Sequence, residues 1–185
     1  MDSSLSAMPK LTKHDQDVLK FIVKQAKLPD TDIAKKMGLS PQAVFKIRHK
    51  LEQSGVIQGY QPILDLKKVG INVLAFLFIK LTPEVWAQWS EEQVIERMKK
   101  MPLVMNAYRV PGSHSSHILL LGFRDLPQLE KYLLRLQTKF ANEVEIQQVY
   151  SFSTDKIITQ SPLGLLHDIL EKKEFSLDEF LLKKK

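Results

Sequence analysis

The hydrophobic pattern of residues 10–60 predicts three amphipathic helices. Thr12 is suited to cap the first helix, and the Leu28-Pro29 step is expected to end it. The other two helices share the segment 30–51. Their apolar positions recur every three or four residues, at Ile33, Ala34 and Met37 and then at Val44, Ile47 and Leu51. The three helices would therefore bury one common apolar face.

A tight turn is predicted between the second and third helices. Gly38 supplies the left-handed backbone that such a turn needs. The Ser40 hydroxyl can accept a hydrogen bond from an otherwise free backbone N–H, and Pro41 suits the first helical position, where no N–H is required. This arrangement predicts a helix-turn-helix whose second helix enters the major groove of DNA.

The outward face of the third helix carries the candidate DNA-binding residues. Gln42 and Lys46 lie near its N-terminal end, where base contacts are expected, whereas Arg48, His49 and Lys50 are predicted to contact phosphates. The full candidate set is Ser40, Gln42, Ala43, Lys46, Arg48, His49 and Lys50. The alternative is an ordinary helix pair whose lysines cover a solvated face.

The segment VIQGYQPIL, which begins at Val56, is rich in β-forming residues and is interrupted by Gly59. It predicts a short hairpin or wing. Residues 10–60 would then form a winged helix-turn-helix domain. Residues 61–72 would connect it to a second domain.

A β-α-β-β-α-β pattern is predicted over residues 73–159. The run VLAFLFIKL at Val73 is almost continuously apolar, which predicts a strand covered on both faces. A capping box at 90–93 opens the first helix, and Asp125 caps the second. The inward positions of these helices are predicted to be Val94, Ile95 and Met98, and then Leu126, Leu129, Leu133, Leu136 and Phe140. Two strands, within 103–110 and 117–123, separate the helices, and a last strand covers about 143–153. This order predicts a ferredoxin-like α+β fold, followed by a partly helical tail over residues 160–185.

Helices in that fold cover only one face of the sheet, so the other face requires a partner. Self-association is the simplest way to cover it, and we expect a homodimer through residues 73–159.

Composition restricts the chemistry of the chain. The absence of cysteine excludes a disulfide framework and a thiolate metal site. No apolar run is long enough to cross a membrane and no signal-peptide core is present, so we expect a cytoplasmic protein that does not associate with membranes. His114 and His117 are predicted to lie in a loop or hairpin, and the sequence offers no evident third ligand. We assign no catalytic residues, metal or cofactor.

The net charge of +6 is concentrated towards the N-terminus. Residues 1–60 contain ten Lys and Arg against six Asp and Glu, whereas residues 61–185 contain seventeen against fifteen. Because phosphate contacts require basic side chains, the excess agrees with double-stranded DNA as the partner.

Three sequence segments carry a resemblance to a known family. They are LTKHDQDVLKFI, DIAKKMGLSPQAVFKIRHKLEQSGVIQGY and ILDLKKVG, and the resemblance extends over about residues 10–159. Together with the βαββαβ pattern, they resemble the leucine-responsive/AsnC, or feast/famine, family of bacterial and archaeal transcription regulators. The resemblance implies a sequence-specific regulator that dimerises through its C-terminal sheets. It also implies assembly into tetramers or octamers and a small-molecule effector bound between dimers.

Two positions depart from the family pattern. Arg48 stands where an aliphatic residue is usual, and the loop after the second strand lacks the usual aspartate. The resemblance makes this loop the candidate effector site, with residues Gly112, Ser113, His114, Ser115 and Ser116.

Without an acid to hold an ammonium group, we expect a ligand recognised through its anionic or hydrogen-bonding end and weak binding of ordinary amino acids. His114 and His117 are expected to become cationic near the ordinary histidine pKa of about 6.5. The alternative is a loop that only packs at the dimer interface.

An enzyme is the remaining alternative, since sirohaem decarboxylases resemble the same two-domain arrangement. Asn106, Tyr108 and Arg109, followed by the histidine-containing loop, resemble a grip for a carboxylate-rich tetrapyrrole. The intact helix-turn-helix favours a regulator without enzymatic activity.

Overall fold

The computed structural model describes residues 11–111 and 114–159, together with residue 169. Within this range the chain forms two compact units that divide between Pro62 and Ile63. The tail predicted over residues 160–185 lies outside the described residues, apart from the helical residue Ile169.

The first unit contains three helices, α1 (Lys13–Lys24), α2 (Asp30–Met37) and α3 (Pro41–Gln53). Thr12 caps α1 in a capping box: its hydroxyl accepts from the backbone N–H of Asp15, and the Asp15 carboxylate accepts from the backbone N–H of Thr12. The buried apolar residues of the three helices form one core, made of Val18, Ile22, Ile33, Ala34, Val44 and Leu51. The predicted apolar faces thus meet as expected.

The turn between α2 and α3 has the predicted geometry. Gly38 is left-handed, with φ of 66°, and the N–H of Leu39 donates to the carbonyl of Ala34 over 3.0 Å. The Ser40 hydroxyl accepts from the N–H of Ala43 over 3.1 Å, and Pro41 is the first residue of α3. These local contacts fix the start of α3.

The hairpin predicted behind α3 is not formed, since residues 56–65 contain no strand. Instead, the N–H of Ile57 donates to the carbonyl of Leu51, and the Val56 and Ile57 side chains pack on the helical core. Farther along, Ile63 is 75% exposed. β-Forming residues specify a strand only when a partner strand lies beside them, and this segment has none.

The second unit is built on a four-stranded antiparallel sheet. Its strands are β1 (Val73–Leu81), β2 (Val104–Arg109), β3 (His117–Phe123) and β4 (Val144–Ser153), in the order β2-β3-β1-β4. Helix α5 (Glu91–Lys99) lies between β1 and β2 in the chain, and α6 (Leu126–Lys139) lies between β3 and β4. This is the predicted ferredoxin-like βαββαβ arrangement.

A short helix, α4 (Pro83–Gln88), precedes α5 and was not predicted. It begins after Thr82 with a proline at its first position. Six residues are too few to produce a recognisable helical periodicity, which is why the sequence pattern did not reveal it. Trp89 ends α4 and packs against the core of the sheet.

The two faces of the sheet differ. On one face, alternate residues of β1 are buried against the helices: Val73, Ala75, Leu77, Ile79 and Leu81. On the other face, Leu74 is buried but Phe76 and Phe78 are only half-buried and Lys80 is exposed. Within one chain the helices therefore cover only one face of β1, and cover of the second face by a partner chain stays a prediction. Ile95, Leu126 and Phe140 were also predicted to face inward, and all three are exposed.

Candidate functional site

The outward face of α3 carries the exposed side chains of Gln42, Phe45, Lys46, His49 and Lys50. The Phe45 and His49 rings are stacked, with centroids 6.0 Å apart, and Phe45 remains 57% exposed. Gln42 and Lys46 have neither a hydrogen bond nor an ion pair within the described residues. Their polar groups are therefore available to a partner.

Ser40 and Ala43 were also predicted at the site. The Ser40 hydroxyl is occupied by the N–H of Ala43, and Ala43 itself is half-buried. Both residues shape the N-terminal end of α3, which positions Gln42 and Lys46.

Arg48 is held by three groups of its own unit. Its Nε donates to Asp30 Oδ1 over 2.7 Å, its Nη2 donates to the carbonyl of Leu28 over 3.0 Å, and its Nη1 lies 3.4 Å from the Tyr60 hydroxyl. Burial lowers the pKa of Arg48, but the hydrogen bonds to Tyr60 and Asp30 outweigh burial, so the pKa is raised and the charge is secure. This geometry favours a positioning role over the phosphate contact expected from the sequence.

Lys50 also reaches back into its own unit. Its Nζ lies 2.6 Å from Oδ2 of Asp15, which is 1% exposed. Burial raises the pKa of Asp15, but hydrogen bonds from Lys50 and Thr12 outweigh it, and the pKa is lowered overall. The two acids that hold α3, Asp15 and Asp30, were missed by sequence reasoning because they lie far from α3 in the chain.

The basic residues of α3 therefore divide into two groups. Arg48 and Lys50 are paired with carboxylates, whereas Lys46 carries a positive charge without an ion pair in the described part of the chain. A further group of basic side chains borders a depression formed by α1 and α2, namely Lys13, Lys20, Lys24 and Lys36. It adds positive charge to the unit that contains α3.

The candidate effector loop is only partly described. Gly112 and Ser113 lie outside the described residues, and His114 is exposed. Ser115 is buried. The Ser116 hydroxyl accepts from the N–H of Leu81 over 2.9 Å and lies within bonding distance of the carbonyl of Ile79. The Ser116 hydroxyl thus stabilises the end of β1. These hydrogen bonds would compete with a direct contact between the hydroxyl and a ligand.

The burial and the pKa of His117 differ from what the sequence suggested. It is the first residue of β3, only 4% exposed, and its ring stacks on Trp86 with centroids 6.4 Å apart. Burial lowers the pKa of His117, and the nearby Arg109 charge lowers it further. The expectation that His117 becomes cationic near pH 6.5 is therefore wrong. Among the described residues, no group of three His, Asp or Glu side chains is placed to hold a metal ion.

Among the described residues that suggested a tetrapyrrole enzyme, Arg109 and His117 do not form a free cationic pair. Arg109 donates to the Glu91 carboxylate, and the neighbouring His117 is buried with a lowered pKa. Asn106 and Tyr108 lie exposed on β2, at the edge of the sheet.

Within the described ranges, no helix is both long and apolar enough to cross a bilayer.

Comparison with known proteins agrees with this geometry. A family model described as a winged helix-turn-helix DNA-binding domain matches residues 11–58. The transcriptional regulator LrpA of Pyrococcus horikoshii is 32% identical over 104 residues, which cover 56% of this chain and 70% of that protein.

Solved structures show the same fold over most of the chain. An AsnC family transcriptional regulator from Agrobacterium tumefaciens has a TM-score of 0.64 and 24% identity, covering 91% of this chain and 98% of its own. A transcriptional regulator from Neisseria meningitidis in complex with L-Met has a TM-score of 0.65 and 19% identity. The match covers 82% of this chain and 94% of that one. With its helix-turn-helix, its ferredoxin-like sheet and its similarity to LrpA, the chain belongs to the leucine-responsive/AsnC family of transcriptional regulators.

Proposed function

We propose that this protein regulates transcription as a homodimer that places two copies of α3 in the major groove of a pseudo-palindromic DNA site. The observation that carries the proposal is the outward face of α3, where Gln42 and Lys46 are exposed and unpaired within the described residues. In a helix-turn-helix dimer, half-sites lie about 10 bp or a multiple of it apart.

Gln42 and Lys46 are the proposed base-reading residues. A glutamine amide can bond both edge groups of adenine, and a lysine ammonium can bond the acceptors of guanine. Phe45 lies between them in sequence, and its exposed ring is suited to contact a thymine methyl group. Arg48 and Lys50 support this face indirectly, because their ion pairs hold α3 against α2 and α1.

The open face of the sheet is the proposed dimer interface. Phe76 lies 5.9 Å from Phe152, and Phe78 lies 5.9 Å from Tyr150, as measured between ring centroids. These side chains are half-buried or exposed in the single chain. A contiguous apolar and aromatic face of this kind is typical of an association surface, and a second copy offers a complementary one. Further assembly into tetramers or octamers rests on family resemblance alone.

For a small-molecule effector, the loop at residues 112–116 remains the proposed site. The neighbour from Neisseria meningitidis binds L-Met. The loop in this chain contains no acid to pair with an ammonium group, so we expect L-Met and other ordinary amino acids to bind weakly. Titration calorimetry tests this directly, and a low-micromolar dissociation constant for any common amino acid would contradict it.

Selection from random genomic fragments tests the DNA-binding proposal. The parent protein should enrich a motif with two related half-sites, and Lys46→Ala should enrich a motif degenerate at one position in each half. Lys131→Ala is the matched control, because Lys131 is an exposed lysine of α6 in the other unit. Absence of any enriched motif with the parent protein would rule out sequence-specific recognition.

A further inference from the structure

A cavity of about 430 Å³, partly open to solvent, lies between the sheet and helices α5 and α6 of the second unit. Its walls are largely apolar, with Leu77 and Leu119 from the sheet, Val94 and Met98 from α5, and Leu136 from α6. The volume falls within the range of about 300–1,000 Å³ that is usual for small-molecule sites. All of its lining belongs to one unit, and none of it belongs to the loop at residues 112–116.

Tyr132 is one of the polar residues that line the cavity. The Tyr132 hydroxyl oxygen is buried and makes no hydrogen bond within the described residues. Its ring is fixed by an edge contact with Phe123, at a centroid distance of 5.5 Å. A buried hydroxyl without a partner is unfavourable, so a ligand oxygen that accepted a hydrogen bond from it would be stabilised.

The charged residues of the wall are unequally paired. Arg97 lies 4.0 Å from Glu143 and 4.3 Å above the Trp89 ring, so it already has two partners. Arg135 also lines the cavity and is exposed at its surface, but it has no ion pair or hydrogen bond among the described residues. Arg135 and Tyr132 are three residues apart on α6, which places them on one side of the helix.

We propose that this cavity binds a monocarboxylate with an apolar aliphatic or aromatic body. The carboxylate accepts hydrogen bonds from Arg135 and Tyr132, and the apolar body lies between Met98, Leu119 and Leu136. One uncompensated guanidinium and one neutral phenol match a single negative charge. The lining carboxylate of Glu143 is already paired with Arg97, so the wall offers no free acid for an ammonium group.

Octanoate is a suitable probe, and the methionine methyl groups give a local readout by NMR after ¹³C labelling. Met98 and Met101 line the cavity, whereas Met105 lines a separate depression beside β2, which also includes Met98. We expect saturable shifts at Met98 and Met101, with Met105 unchanged. Octanol and octylammonium, which have the same alkyl chain, should bind more weakly than octanoate by about fivefold or more.

Two variants test the polar contacts. Arg135→Gln and Tyr132→Phe should each weaken octanoate binding by about fivefold, while Arg124→Gln should leave it unchanged. Arg124 is an exposed arginine of the same unit that does not line the cavity. The proposal is overturned if octanoate gives no saturable shift, if octanol binds equally well, or if Met105 shifts without Met101. These readouts do not involve DNA, so their failure would leave the proposed regulatory function untouched.

Discussion

The ammonium group of Lys50 on α3 lies 2.6 Å from the carboxylate of Asp15 at the start of α1. The same carboxylate closes the capping box with Thr12. One buried acid thus caps the first helix and also holds the helix proposed to read DNA. Stability of the domain and orientation of α3 are therefore linked through Asp15.

Asp15→Asn should destabilise the first unit by about 2 kcal/mol at neutral pH, because the variant loses the charge that Lys50 and the helix cap share. The effect should depend on pH. Since the pKa of Asp15 is lowered in the folded state, its contribution is fully present above the unfolded value of about 3.9 and is lost as pH falls through the lowered value. The difference between parent and variant should therefore shrink as the pH falls below about 4.

Urea unfolding at several pH values measures this difference. Asp17→Asn is the control on the same helix, because Asp17 pairs with Lys20 three residues along the helix, and ion pairs at that spacing contribute little. Two results would show that Asp15 has no special role. One is an equal loss of unfolding free energy in the two variants, and the other is a difference between parent and Asp15→Asn that grows as the pH falls.

Arg48→Gln separates a positioning role from a phosphate contact. Loss of the bonds to Asp30 and to the carbonyl of Leu28 should lower the free energy of unfolding by about 2 kcal/mol. The slope of log affinity for DNA against log salt should stay within experimental error of the parent, since no phosphate contact is removed.

Urea unfolding gives the first quantity, and fluorescence anisotropy with labelled DNA at several salt concentrations gives the second. If the salt slope fell by about one unit and the stability were unchanged, Arg48 would contact a phosphate, as the sequence suggested.

Phe78→Glu should convert the dimer into monomers. Phe78 lies at the centre of the open face of the sheet, next to Tyr150, and a carboxylate there would be desolvated on association. Light scattering at micromolar concentration should give the mass of two chains for the parent protein and of one for the variant. Leu134→Glu is the control, because Leu134 is an exposed leucine on α6. A monomeric parent protein would contradict the proposed dimer, and a variant that remains dimeric would place the interface elsewhere.

Local signals in the sequence predicted the helix-turn-helix well. Ser40, Pro41 and Gly38 each act within a few residues of their own position, so the cap, the first turn and the left-handed residue follow from residue type alone. The βαββαβ order was likewise visible, because its strands and helices have distinct periodicities.

Contacts between distant residues could not be predicted in this way. Arg48 and Asp30 are separated by 18 positions and Lys50 and Asp15 by 35, so their pairing depends on how the helices pack. The burial of His117 depends on strand register, which sets it opposite Ile79 on the helix-covered face. The hairpin was wrongly predicted for the same reason, since β propensity at Val56 and Ile57 does not supply a partner strand.

DNA recognition by α3 is tested most directly by comparing two dissociation constants at one fixed salt concentration. The quantity to measure is the dissociation constant for a scrambled site divided by that for the selected site. We predict a ratio of about a thousand or more for the parent protein. Lys46→Ala should lower discrimination at one base position of each half-site by about tenfold, whereas Lys131→Ala should change nothing. A ratio close to one for the parent protein, or a Lys46→Ala variant with unaltered base preference, would contradict this account.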